Sequence, residues 1–335
     1  MHEKLKIIDL HCDTILGCYT EKKHLRDYPG HISAEKLKTG ESLAQCFALF
    51  IPTRDSAVRH FGGERDAWEV YQDLLRCYRE NMAACADVLR PALSPADIRK
   101  NREAGYISSI LTVEDGVEID GRMERLEKLY CDGVRMIALT WNYENCFGFP
   151  NSHNQEEHTK KGLKPFGFEA VERMNELGII VDVSHLSEAG FYDVAQHSTK
   201  PFAASHSCCR ALANHPRNLT DDQLRTIGET GSVVGINFYD LFLGAKPGYT
   251  GIEDIIRHMV HAKNKAGIES VALGSDFDGI ESTLEFGDYS GFPLLLTTMK
   301  KAFTEDEIDL ICEKNFLRVF PLPDQSDADH QIAYL

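Results

Sequence analysis

The chain has 335 residues, 43% of them hydrophobic and 26% charged, the mix of a globular protein with a sizeable core. Lys and Arg number 36 against 52 Asp and Glu, giving a formal net charge of −16; with no basic block to offset it, nucleic acid is disfavoured as a partner. No run approaches the roughly 18 apolar residues of a membrane helix, which argues against a membrane-embedded chain.

At the start, Met1-His2-Glu3-Lys4-Leu5 runs directly into an apolar strand without the apolar stretch and small-residue site of a secretory signal. The 10 cysteines are scattered and form no CxxC pair, so they read as reduced thiols of a cytoplasmic protein rather than a disulfide framework. Short β-branched and aliphatic runs then alternate with amphipathic stretches. Strands are predicted at Ile7–Asp13 and Leu43–Ile51, followed by a long helix from about Glu64 to Val88 with Trp68, Tyr71, Leu74, Leu75, Tyr78 and Met82 at helical spacing. A strand at Ile107–Glu114 precedes a helix at about Arg122–Tyr130. A strand at Val134–Asn142 precedes one at about Gly167–Leu177. Ile179–His185 leads into about Glu188–Gln196, with Ser187 as the capping residue. Phe202–His206 leads into about Thr220–Glu229, and Ser232–Tyr239 into about Gly251–Ala266. Val271–Asp276 is the eighth strand. Gly105, Gly178, Gly231 and Gly267 stand where helices should end.

No linker, repeat or low-complexity tract interrupts this alternation. Residues 1–335 therefore read as one α/β domain, a (β/α)8 TIM-type barrel with a C-terminal helical extension. A doubly wound open sheet shares the same local grammar. The polar residues decide where function lies. His11-Cys12-Asp13, Glu114-Asp115, Trp141-Asn142, Ser184-His185, Ser205-His206, Asn237 to Tyr239 and Ser275-Asp276-Phe277-Asp278 each end a predicted strand. In a barrel those ends share one face, where active sites are built.

His11 and Asp13 lie on the same side of a strand, because its period is two. An imidazole and a carboxylate so placed suit a divalent ion such as zinc, or a structural hydrogen-bonded pair. Glu114 ends an apolar run, where an ionised carboxylate must be paired or metal-bound; its two oxygens could serve two ions. His185 and His206 end consecutive strands and with Glu114 supply three ligands for a second ion. A carboxylate at Asp276 or Asp278 could exchange protons with water and a leaving group. Their spacing does not choose between them. His153 and His158 lie in a polar stretch and read as surface residues.

These residues, in this order, resemble the membrane (renal) dipeptidases and their bacterial relatives, a branch of the amidohydrolase-like metal barrels. The resemblance runs from Asp9-Leu10-His11-Cys12-Asp13 to Asn315-Phe316-Leu317-Arg318-Val319-Phe320. It includes Val113-Glu114-Asp115-Gly116, the two Ser-His strand ends, Arg217-Asn218-Leu219-Thr220-Asp221-Asp222 and Gly274–Gly279. It implies a zinc-dependent dipeptidase that cleaves L-Xaa-L-Xaa, and potentially L-Xaa-D-Xaa, through a metal-bridging hydroxide. His11 and Asp13 would hold one zinc, His185 and His206 the other, with Glu114 bridging. It assigns Asp276 as general acid/base, Arg217 to the substrate carboxylate, and Tyr239 to the substrate wall. Trp141 stands where the animal enzymes have a histidine, and its N–H can donate but not titrate. Lys314 replaces a common glycine. Competing readings are a related barrel acting on another amide or lactone, and a non-catalytic metal-binding protein. A homodimer is compatible with either.

Overall fold

The computed structural model describes residues 7–321, so the Met1-His2-Glu3-Lys4-Leu5 segment and the end of the 1–335 domain assignment fall outside the described residues. Eight parallel strands follow one another in chain order: β1 (Ile7–Asp9), β2 (Ser42–Phe50), β3 (Ile107–Glu114), β4 (Val134–Ala138), β5 (Ile180–Asp182), β6 (Ala203–Ser207), β7 (Val233–Ile236) and β8 (Val271–Leu273). Each pairs with its neighbour, from Ile8 against Ala44 in β1–β2 to Leu273 against Ile236 in β7–β8. Asp9 pairs with Leu273 and returns β8 to β1. The sheet is closed. A short strand, Leu89–Pro91, adds to the outside edge of β3 and is not visible in the hydrophobic pattern.

The alternation of each strand divides the core in two. Ile7, Phe47, Leu49, Leu111, Val113, Ile137, Val181 and Leu273 belong to a large outer cluster with the helices. Ile8, Cys46, Ile110, Met136, Ile180, Val233 and Ala272 form a second cluster with Phe316 and Phe320. The turn of helix at Asn315–Val319, with Phe320 just after it, thus packs on the inner layer of the barrel.

Helices form close to the predicted places: Ala67–Ala84, Met123–Cys131, Pro165–Leu177, Glu188–His197, Asp221–Glu229 and Ile252–Ala266. Thr220 and Gln223 form a reciprocal capping box at the fifth of these, which satisfies two otherwise orphaned donors. Five strands stop three or four residues earlier than their apolar runs suggest. Val134–Asn142 ends at Ala138, Ile7–Asp13 at Asp9, Ile179–His185 at Asp182, Ser232–Tyr239 at Ile236, and Val271–Asp276 at Leu273. The chain leaves the sheet to bring side chains inward, and two residues past those ends, His185 and Asp276, adopt φ of 66° and 62°. Such angles are costly for non-glycine residues.

Asp9 holds the closing seam. Its Oδ1 accepts from Ser275 N–H at 2.8 Å and its Oδ2 from Ser275 Oγ–H at 2.7 Å. Burial pushes its pKa up to about 6, against the Ser275 and Gln45 hydrogen bonds and the His11 charge. A folded-state pKa above the unfolded one means this contribution to stability is full below about pH 4 and lost as pH rises through 6. The shift corresponds to about 3 kcal/mol. In metal-free protein, urea unfolding from pH 4 to 7 should show wild type losing about that much more than Asp9→Asn; parallel pH profiles would contradict it.

Candidate active site

Three carboxylates and three imidazoles converge where the strands end. Glu114, the last residue of β3, is buried and sits between them. Its Oε2 lies 3.5 Å from His11 Nε2, while its Oε1 lies 2.9 Å from His185 Nε2 and 3.4 Å from His206 Nε2. His11 Nε2 is also 3.7 Å from Asp13 Oδ1 and 3.9 Å from Asp276 Oδ1. Two sets of ligand atoms therefore form within 4.8 Å: His11 with Glu114 and His206, and His11 with Asp13 and Asp276. His11 Nε2 and Asp13 Oδ1 are buried without a hydrogen-bond partner. A divalent cation fits this donor set, since it would satisfy both orphaned atoms and the crowded negative charge.

The surrounding hydrogen bonds aim the imidazoles. Asp182, the last residue of β5, accepts from the amides of Ser184 and Ser205, both at 2.9 Å, and from Ser205 Oγ–H. With its proton committed to Asp182, Ser205 Oγ accepts from His206 Nδ1–H at 2.7 Å. His206 Nε2 is then left as a lone pair facing Glu114. Ser184 Oγ accepts the backbone N–H of His206 at 3.1 Å, which explains the serine before each histidine. His185 Nδ1 is 3.1 Å from Asn142 Oδ1, an acceptor that fixes the same tautomer. The pairing of β6 with β7 shifts register between Ala204 and Ser207, the irregularity from which His206 enters the site.

Electrostatics separate the imidazoles. Burial, with Arg217 nearby, pushes His185 down to about 4. Burial and the His11 charge hold His206 well below the usual range. Both are neutral and ready to ligate. Burial opposes charge on His11 too, but Glu114 and Asp13 outweigh it and raise its pKa well above 6.5. Glu114 is held well below the usual carboxylate range, because His11, His185 and His206 overcome its burial. Burial and the charge of Glu114 push Asp13 up to about 8. A cation held by His11 would therefore have to displace a proton from it.

Asp276 and Asp278 part company in space. Asp276 Oδ1 faces His11, and Asp276 Oδ2 accepts from Asn237 Nδ2–H at 2.8 Å. Asp278 instead accepts from Thr14 Oγ1–H and from the His31 amide, both at 2.5 Å. Burial raises Asp276 to about 6, with Glu114 adding to it and His11 and Asn237 opposing. A Cβ on Gly279 would stand 2.3 Å from Asp13 Oδ2 and 2.5 Å from Asp276 Oδ1. Only glycine lets the turn pass behind these two carboxylates.

A family profile for the membrane dipeptidases, peptidase family M19, matches residues 1–332. The chain belongs to that family. Over 264 residues it is 38% identical to an uncharacterized protein in the pqqA 5′ region of Klebsiella pneumoniae, spanning 76% of this chain and 96% of that one. It is 32% identical over 303 residues to an uncharacterized dipeptidase of Schizosaccharomyces pombe, spanning 87% and 71%. Among solved structures, a family M19 metallopeptidase, dipeptidase AC, superposes with TM-score 0.85 at 28% identity, covering 95% and 98% of the two chains. A Rhodobacter sphaeroides metallopeptidase, bound to a phosphinate mimic of L-Ala-D-Ala, gives 0.85 at 26%, covering 95% and 99%. This M19 chain is thus a dipeptidase, and its family implies a metal. The non-catalytic reading falls.

The remaining expected residues line a cavity of about 570 Å³ beside the carboxylate–imidazole cluster. Arg217 is buried, donates to His206 O at 3.2 Å and has an Nε without a partner. Trp141 packs 4.9 Å from the Phe50 ring and 6.0 Å from His185. Tyr239 meets Phe242 edge to face at 5.0 Å. The structure adds wall residues that no sequence signal had marked: Arg59, His60 and His215. His158, expected at the surface, is buried. Its Nδ1 accepts from the Ser152 amide and its Nε2 meets Arg210, so those two contacts supply the polar partners that the local sequence did not reveal. His153 is exposed but borders the cavity, edge-on to His215. Among the described residues no helix is long and apolar enough to cross a membrane.

Proposed function

We propose that the chain hydrolyses dipeptides at a two-zinc centre, with His11 and Asp13 on one ion, His185 and His206 on the other, and Glu114 shared. The division of the Glu114 carboxylate, one oxygen toward His11 and the other toward His185 and His206, is the observation that carries this reading. When bound, the ions supply Lewis acidity that makes a water molecule nucleophilic near neutral pH and polarises the scissile carbonyl.

The protein's own residues do the rest. Asp276 takes the proton of the attacking water and returns it to the departing amine. Asn237 holds Asp276 Oδ2 and so keeps Oδ1 turned to the reaction. Arg217 is a buried cation without a carboxylate partner among the described residues, an arrangement that is unfavourable until an anion arrives. The substrate's terminal carboxylate completes it through the guanidinium fork. Trp141 and Tyr239 exclude water from the side-chain pockets, and the Trp141 N–H offers a donor where the animal enzymes have a histidine. Both L-Xaa-L-Xaa and L-Xaa-D-Xaa are proposed substrates, the latter supported by the ligand of the Rhodobacter relative. The 10 unpaired cysteines support a reducing, cytoplasmic setting.

Because Arg217 closes one end, a third residue leaves the carboxylate out of reach. L-Ala-L-Ala and L-Ala-D-Ala should be cleaved at least ~10²-fold more efficiently than L-Ala-L-Ala-L-Ala. Faster cleavage of the tripeptide would sink the assignment.

A further inference from the structure

Among the described residues lining the cavity, only Arg217 and Arg59 carry a fixed positive charge. They come from opposite sides of the barrel. Arg217 follows β6, while Arg59 lies in the helix Arg54–Phe61 that follows β2. Three strands lie between β2 and β6 in either direction around a closed ring of eight, so the two loops face each other across the carboxylate–imidazole cluster. Resting on the dipeptidase reading above, a substrate whose terminal carboxylate meets Arg217 and whose scissile bond lies over that cluster extends its N-terminal residue toward Arg59.

That side has a defined surface. Phe50 lies at the floor, with its ring 4.9 Å from Trp141 and 6.3 Å from His60. Arg54, at the start of the helix, stacks on Tyr143 at 4.6 Å and ties the helix to the neighbouring loop. Arg59 is exposed to the cavity and makes no ion pair or hydrogen bond among the described residues. The cavity's other carboxylates stand elsewhere. Asp13, Glu114 and Asp276 surround the metal-ligand centre, Asp278 is held by Thr14 and His31, and Glu281 follows β8 on the side of Tyr239. We propose that Arg59 is a specificity residue that selects dipeptides with an acidic N-terminal side chain, whose methylenes lie on Phe50 and Trp141 and whose carboxylate reaches the guanidinium.

The probes are L-Glu-L-Ala and L-Gln-L-Ala, which differ in charge but hardly in shape, with L-Lys-L-Ala and L-Ala-L-Ala alongside. An exposed pair of this kind should favour Glu over Gln by about three- to fivefold in kcat/KM. The difference should sit in KM, because a contact remote from the reacting bond serves ground and transition states alike. In Arg59→Gln the ratio should fall to about 1, and in Arg59→Glu it should invert while L-Lys-L-Ala gains. Circular dichroism would verify folding of each variant. A wild-type ratio at or below 1, or a ratio unchanged in both variants, overturns the role of Arg59 while L-Ala-L-Ala turnover leaves the dipeptidase reading intact. Absence of turnover on every dipeptide overturns both.

Discussion

Asp276→Asn should lower kcat by about 10²–10⁴, roughly 3–5.5 kcal/mol of transition-state stabilisation, while the protein still folds and loads metal. Asparagine is the informative replacement. Residue 276 has φ of 62°, a conformation that Asn and Asp adopt more readily than other side chains. An amide oxygen can also keep the 2.8 Å hydrogen bond from Asn237. What is lost is the lone pair that receives a proton. The acidic limb of kcat/KM in wild type should fall at or below pH 6: burial sets the pKa near 6 in the metal-free site, and a bound dication favours the charged form, moving it down. Asp278→Asn is the contrast. It disturbs the Thr14 and His31 contacts and should cost stability rather than the chemical step. Equal losses of kcat in both variants with unchanged stability would contradict the assignment of Asp276.

Glu114→Gln should abolish activity and weaken metal binding by at least ~100-fold, beyond the range seen when only an outer hydrogen-bond partner is removed. The substitution removes the proposed shared ligand and the charge that holds His11 above its ordinary pKa. The volume is nearly unchanged, so packing is not the cause. Thermal unfolding reads the effect independently of turnover. An ion at 1,000 times its dissociation constant adds about 4 kcal/mol per site. Chelation should thus lower the Tm of wild type by several degrees and leave Glu114→Gln almost where it was. A variant that keeps the same chelator-sensitive Tm would show that Glu114 is not a ligand.

Much of this was legible in the residues because strand ends in a barrel are read by one rule. His11, Asp13, Glu114, His185 and His206 each follow or end an apolar run, and the closed sheet brings Asp13, Glu114 and His206 within reach of His11, with His185 2.9 Å from Glu114. What alternation could not supply was the chain's path beyond the last paired residue. Leu139-Thr140-Trp141-Asn142 continues the apolar pattern but lies outside the ladder, which stops at Ala138. Asp276 and Asp278 share strand parity, yet φ of 62° and 65° turns parity into a poor guide, and only Asn237, Thr14 and His31 separate them. The helix Arg54–Phe61 buries only Ser56 and Ala57, so it leaves no apolar stripe to recognise, although it carries Arg59 to the cavity. His158 sits among Gln, Glu, Thr and Lys, and the Arg210 that meets its ring is 52 positions away.

Metal content most directly tests the divided Glu114 carboxylate. Protein stripped by chelation should be titrated with zinc while bound metal and L-Ala-L-Ala turnover are followed together. Two zinc ions per chain in wild type, with full turnover reached only at the second and neither retained tightly in Glu114→Gln, is the expected result. Full turnover with a single ion, or two tightly held ions in Glu114→Gln, would contradict a centre built around that residue.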